Sequence, residues 1–220
     1  MLILEYKLRT NQAQQQAIDE AIRTVQFIRN KFLRLWMDGR GIGDNDLQVS
    51  CAQLANVFPF AACLNSQARQ TSADRAWLSI ARFYKHCREK KPGKKGYPRF
   101  QHDNRSVEYK ETGWYLGSDG QHLTFTDETG IGTVRLIGAN PRRKKARPIA
   151  TFPLPQIKRV RLVRRADGYY VQFAAKADRQ MEHPSTGKQT GIDVGLKPST
   201  PTATARRLPI PGISAQPKSA

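Results

Sequence analysis

The chain has 220 residues, 39% of them hydrophobic, three cysteines, and 37 Lys and Arg against 18 Asp and Glu, a formal charge of +19. That length allows one or two domains with a core of their own. No apolar run approaches the ~20 residues of a membrane span, and no Cys-x-x-Cys pair encodes a zinc ribbon.

The N-terminal stretch Met1–Lys7 has no basic leader and no cleavage site, so the expected location is cytoplasmic. Residues 2–9 alternate loosely and predict a strand. Thr10 and Asn11 can cap the helix that follows. From Gln12 to Met37, the residues Ile18, Ile22, Val25, Ile28, Phe32 and Leu35 recur at three- and four-residue steps and predict one buried helical stripe, with Arg23, Arg29, Lys31 and Arg34 off it. Asp46 can cap a shorter helix, Leu47–Val57, which Pro59 is expected to stop. Asn65 and Ser66 introduce a long helix to about Arg88, with Ala73, Ala76, Trp77, Ile80, Phe83, Tyr84 and Cys87 as its stripe. A helix-turn-helix reading fits this unit, without a pattern that selects a recognition helix. Cys51, Cys63 and Cys87 all fall in helical patterns and are expected to be reduced, buried thiols.

Residues 88–100 interleave Lys90, Lys91, Lys94, Lys95 and Arg99 with Gly, Pro, Tyr97 and Phe100. The prolines and glycines forbid helix. Cations there can bind phosphates while Tyr97 or Phe100 stacks on a base, and a merely solvated basic loop is the alternative. From Ser106 to Lys176 short alternating runs predict five or more strands and a small antiparallel barrel. Asp167-Gly168 marks a hairpin between Ile157–Arg165 and Tyr169–Lys176. The run Arg142, Arg143, Lys144, Lys145 and Arg147 forms a basic loop, and Lys158 and Arg161 lie on a basic strand. Such segments suit contacts that track a phosphate backbone.

The charge excess repels itself unless a polyanion neutralises it, which makes nucleic acid the expected partner. A membrane surface is not expected, because the basic residues are spread over strands and loops rather than along one amphipathic helix.

Residues 177–189 read as a polar linker. A short apolar strand follows, Thr190–Lys197, with the single acid Asp193 between glycines Gly191 and Gly195. An unpaired buried carboxylate is costly, so such an acid usually meets a metal or a cation. Residues 198–220 lack periodicity and read as disordered.

The order of these parts resembles the TnpB/OrfB family, which insertion-sequence transposons encode and which is related to compact CRISPR effector nucleases. The matching residues are the first strand, the Gln12–Met37 helix with Val25–Lys31, the Ser66-Gln67 helix start, the Gly96-Tyr97-Pro98-Arg99-Phe100 turn, the Asp167-Gly168-Tyr169-Tyr170 hairpin and Gly191–Lys197. The resemblance covers residues 1 to about 197. It implies an α+β fold: an oligonucleotide-binding-like antiparallel β-barrel with an inserted helical bundle, plus the first strand of an incomplete RNase H-like (RuvC) domain. The implied divisions are a first barrel strand (1–10), a helical recognition unit (11–90), the rest of the barrel with basic loops (91–180), the RuvC-like strand (189–197) and a tail (198–220).

The resemblance further implies binding of DNA and a guide RNA. It makes Asp193 the first of the family's Mg²⁺-binding catalytic acids. The family's later acids and its zinc ribbon have no counterpart in these 220 residues, and one aspartate cannot hold two Mg²⁺ ions. The expectation is therefore a transposase-type nucleic-acid-binding fragment without a bound cofactor and without nuclease activity by itself. Read one base out of register, with synonymous codons allowed, residues 198–220 can encode a sequence like the family's continuation. That implies a single-base deletion near the Lys197 and Pro198 codons. The alternatives are an Mg²⁺-dependent nuclease completed by a partner, and a regulator competing with the full-length element.

Overall fold

The computed structural model describes residues 2–90, 92–139 and 156–176. They all lie within one unit of the chain, Met1–Gln180. The basic loop 141–148, the linker and the 189–220 segments expected from the sequence fall outside the described residues.

The fold is α+β. Strand β1 (Leu2–Arg9) leads into α1 (Gln12–Asp38), whose start is fixed by a capping box. Asn11 Oδ1 accepts from Gln14 N at 2.8 Å, and Gln14 Oε1 accepts from Asn11 N at 3.1 Å, so two orphan donors are satisfied reciprocally. The stripe of α1 is buried at Ile18, Ile22, Val25, Ile28 and Phe32. It then drifts: Leu35, expected inside, is exposed, and Leu33 and Trp36 are buried in its place. A helix turning 3.6 residues at a time moves its apolar face around the cylinder over 27 residues, and neighbours beyond Phe32 select the new face.

Helix α2 spans Asp44–Val57 and α3 Pro59–Ala62. One sequence expectation changes here and one holds. Asp46 is not the N-cap but the third helical residue, where its carboxylate accepts from Gly43 N at 2.8 Å. As expected, α2 ends at Val57 ahead of Pro59, with Phe58 extended; Pro59 also opens α3, since a proline at the first helical position lacks only an N–H that would be orphaned anyway. The guanidinium of Arg69 takes the carbonyls of Ala61, Ala62 and Leu64, which closes this corner. Helix α4 (Ser66–Arg88) is capped by Asn65 and buries Ala68, Ala73, Ala76 and Ile80. Its small residues let α1 and α2 pack closely. Tyr84 and Cys87, expected in the stripe, are exposed. Cys51 is buried and Cys63 is half-buried just past α3. The expectation of three buried helical thiols therefore holds for Cys51 alone.

The remaining strands are β2 (Ser106–Tyr109), β3 (Trp114–Leu116), β4 (His122–Phe125), β5 (Thr133–Ile137), β6 (Ile157–Arg165) and β7 (Gly168–Ala175), with a 3-10 turn at Glu111–Gly113. They form one seven-stranded sheet in the order β2-β6-β7-β1-β5-β4-β3, with every pairing antiparallel. The sheet curls into a half-barrel. Strands β2 and β4 are five strand steps apart, about 24 Å in a flat sheet. Yet the rings of Tyr109 and Phe125 sit 4.9 Å apart. Trp114 of β3 likewise meets Phe173 of β7 at 6.1 Å. Val107, Tyr109, Leu123, Phe125, Val134, Leu136, Val160, Leu162, Val171 and Phe173 fill the concave core.

The hairpin lies where Asp167-Gly168 signals it, with Arg165 paired to Gly168. Only Gly168 takes a positive φ (131°), so the turn itself is Ala166-Asp167 with the glycine relieving strain at its exit. Because β1 is an interior strand and the next strand to form is β2, the helices are an insertion in the sheet, entered at Arg9 and left at Ser106.

Candidate nucleic-acid interface

Between α4 and β2 the chain runs extended across α1, and side chains of α1 pin it. Asn30 Nδ2 donates to Gln101 O at 2.9 Å, and Gln101 N donates to Asn30 Oδ1 at 2.9 Å. Gln26 Oε1 accepts from Asn104 N at 2.8 Å. The buried Asn104 amide donates to Ile22 O at 3.1 Å and Ser106 O at 2.9 Å. Arg29 reaches Arg99 O at 3.3 Å. Polar residues of the amphipathic helix α1 thus replace the strand partners that residues 99–104 lack.

Alternation along this pinned segment sends neighbouring side chains to different hollows. Phe100 lines one of about 440 Å³ with Phe27, Lys31, Arg23, Arg34 and His102. Gln101 lines another, of about 310 Å³, with Arg29, Arg75, Arg82, Ser79 and Leu78. In the first hollow Phe27 is already engaged: Phe58 and Phe60 meet it edge-on at 5.0 and 5.1 Å, and the Lys31 ammonium stands 5.4 Å from its centroid. Phe100 is 39% exposed and pairs with no other ring among the described residues. It offers an open aromatic face among cations.

The loop that precedes this segment turns at Lys90 (φ 49°), Gly93 (φ 76°) and Gly96 (φ 76°). Lys90, Lys94 and Arg99 are exposed and Lys95 is half-buried. Tyr97 stacks into the protein: its ring lies 5.6 Å from Trp36 and 5.2 Å from Phe83, although it stays 54% exposed. Tyr97 and Phe100 thus differ. Tyr97 anchors the loop to α1 and α4 through ring contacts, while Phe100 meets no ring among the described residues.

Lys158 and Arg161 lie on β6, in a separate setting. Lys158 is the extra residue of a β-bulge between Ile157 and Arg159, which turns its ammonium to Glu111 at 2.9 Å. Arg161 grips the buried carboxylate of Glu108 through Nε at 2.8 Å, and Arg159 holds the same carboxylate at 2.9 Å. Burial pushes the Glu108 carboxyl up, but the hydrogen bonds and charges of Arg159 and Arg161 outweigh it and hold the group below the usual carboxylate range. Lys91, Arg142, Arg143, Lys144, Lys145, Arg147 and Asp193 lie outside the described residues.

Sequence reasoning missed the three arginines beside Gln101. Their signal was present: Arg75, Ser79 and Arg82 recur at four and three residues, which places them on one face of α4. Burial lowers the pKa of Arg29, and the Arg75 charge lowers it further. Arg75 is lowered by burial and by Arg161, against an opposing pull from Glu108. Among the described residues no helix is long and apolar enough to cross a membrane.

No protein-family model matches the chain, and no curated protein matches it.

Proposed function

We propose that this chain binds nucleic acid, DNA and a guide RNA, as a fragment of a TnpB/OrfB-type transposon protein, and does not cut it by itself. One observation carries the reading. A rigidly pinned segment presents an open aromatic ring, Phe100, in a hollow bordered by Arg23, Lys31 and Arg34, next to the lysine-rich loop at Lys90 and Lys94. Stacking platforms flanked by cations suit single-stranded nucleic acid, because every base has a π-face and every linkage a phosphate. The net charge of +19 supports the same partner. The curled antiparallel sheet with helices inserted after β1 accords with an oligonucleotide-binding-like barrel, and the resemblance of residues 191–197 supports an RNase H-like strand after it.

The test is binding of labelled single-stranded DNA and RNA to the purified chain over a range of salt. Affinity is expected to fall steeply, with a slope of log K against log salt of about −0.7 for each phosphate neutralised. Salt-insensitive binding, or none at low salt, would refute the reading. Divalent-metal-dependent cleavage by the same chain, lost in Asp193→Ala, would refute its second half.

A further inference from the structure

The hollow beside Gln101 gathers guanidinium groups without acids. Arg29 comes from α1, and Arg75 and Arg82 from positions about two turns apart on α4. Among the described residues none of the three forms an ion pair with a carboxylate. The acids of the adjoining elements are taken by other bases. Asp74 meets Lys110 at 3.0 Å and Arg159 at 3.7 Å, and Glu108 meets Arg159 and Arg161. Arg29 and Arg75 are half-buried, so water screens their mutual repulsion only in part.

The protein's own hydrogen bonds leave donors free. Arg29 uses one N–H on Arg99 O, and Arg75 uses its terminal nitrogens on Ser106 at 3.2 and 3.5 Å. Each guanidinium has five N–H groups. Gln101 spends one amide hydrogen on Asn104 Oδ1 at 3.2 Å and keeps another. Arg29 and Arg75 repel each other and are held at Arg99 and Ser106, Glu108 acts on Arg75 without forming an ion pair with it, and an anion seated among the guanidiniums would relieve the repulsion. Arginine forks match the oxygens of a phosphate in particular.

We infer that Arg29, Arg75 and Arg82, with Gln101, form a seat for one phosphodiester of the bound strand. This rests on the nucleic-acid reading. Phe100 and Gln101 are consecutive, so a base stacked on Phe100 and a phosphate at the arginines lie on either side of one pinned residue pair, as the parts of a single strand would. The phosphate oxygens would accept from the arginine N–H groups, and no covalent step is involved.

Two measurements on the full chain test it. The first is thermal unfolding in inorganic phosphate against sodium chloride of equal ionic strength, for the native chain and the double variant Arg29→Gln, Arg82→Gln. Phosphate is expected to stabilise the native chain more than the variant; equal stabilisation would overturn the seat. The second is binding of a labelled single-stranded oligonucleotide. Arg82→Gln, on an exposed position whose loss leaves the fold intact, is expected to weaken binding by about tenfold, the worth of one charge-assisted hydrogen bond. It should also reduce the salt slope by about 0.7. If the arginine variants bind like the native chain while Phe100→Ala binds worse, the seat is wrong and the nucleic-acid reading stands. If the native chain binds no oligonucleotide but phosphate still stabilises it through the arginines, the strand assignment falls with that reading and the seat serves free phosphate.

Discussion

Asn30 and Gln101 exchange two hydrogen bonds of 2.9 Å across 71 positions of sequence, one from the Asn30 amide to the Gln101 carbonyl and one back. A side-chain amide here imitates a strand neighbour, so the segment bearing Phe100 has a defined position without belonging to the sheet. Asn30→Ala leaves both backbone groups of Gln101 unpaired and part-buried. The expected cost is about 1–3 kcal/mol, read by denaturant unfolding. Asn30→Asp keeps the bond from Gln101 N and should cost less. Equal stability of Asn30→Ala and the native chain would show that water replaces the amide freely.

Phe100 makes little of the core, so its truncation tests binding apart from folding. Phe100→Ala is expected to weaken single-stranded oligonucleotide binding by about 1–3 kcal/mol, the worth of one stacked base. The unfolding temperature should stay near that of the native chain. Phe100→Trp should restore binding. A fall in stability as large as the fall in affinity would mean the ring serves the fold.

Tyr97 carries the opposite expectation. It meets Trp36 and Phe83, and the Trp36 indole donates to Tyr84 Oη at 2.7 Å in the same cluster. Tyr97→Ala should therefore lower stability by about 1 kcal/mol through lost ring contacts. It should weaken binding less than Phe100→Ala does, as titrations of the two variants side by side will show.

Glu108 is 4% exposed and holds Arg159 and Arg161, whose side chains are 43% and 41% exposed. Glu108→Gln removes the charge that balances both. Breaking a fully buried pair costs ~3–5 kcal/mol, but solvent reaches these arginines, so about 2 kcal/mol is expected. Its folded pKa lies below the usual value of 4.5. The stabilisation it gives is thus complete above the unfolded pKa and is lost as pH falls through the lower, folded one. Stability curves of the native chain and Glu108→Gln should run parallel near neutrality and converge in acid below about pH 4.5. A gap that stays constant into strong acid would contradict the pairing.

Much of the fold was legible in the residues themselves. Asn11 and Asn65 announced their helices because a cap needs only a side-chain oxygen next to a run of apolar spacing. The β6–β7 hairpin was equally local, since a tight turn depends on a few consecutive residues. Failures came where a partner distant in sequence decided. Leu35 and Leu33 fit a helical stripe equally well, and only the packing around α1 chose Leu33. Tyr97 and Phe100 look alike in a basic loop, until Trp36 and Phe83 claim one of them.

The sequence by itself determined the charge, the helix starts, the strand alternation and the types of side chain available to meet a polyanion. Only tertiary structure decided that Arg161 turns to a buried glutamate, while Arg29, Arg75 and Arg82 gather without an acid. The reason is that periodicity encodes which face of an element is apolar. Whether a charge finds its opposite depends on which faces the curl of the sheet and the crossing of α1 and α4 bring together.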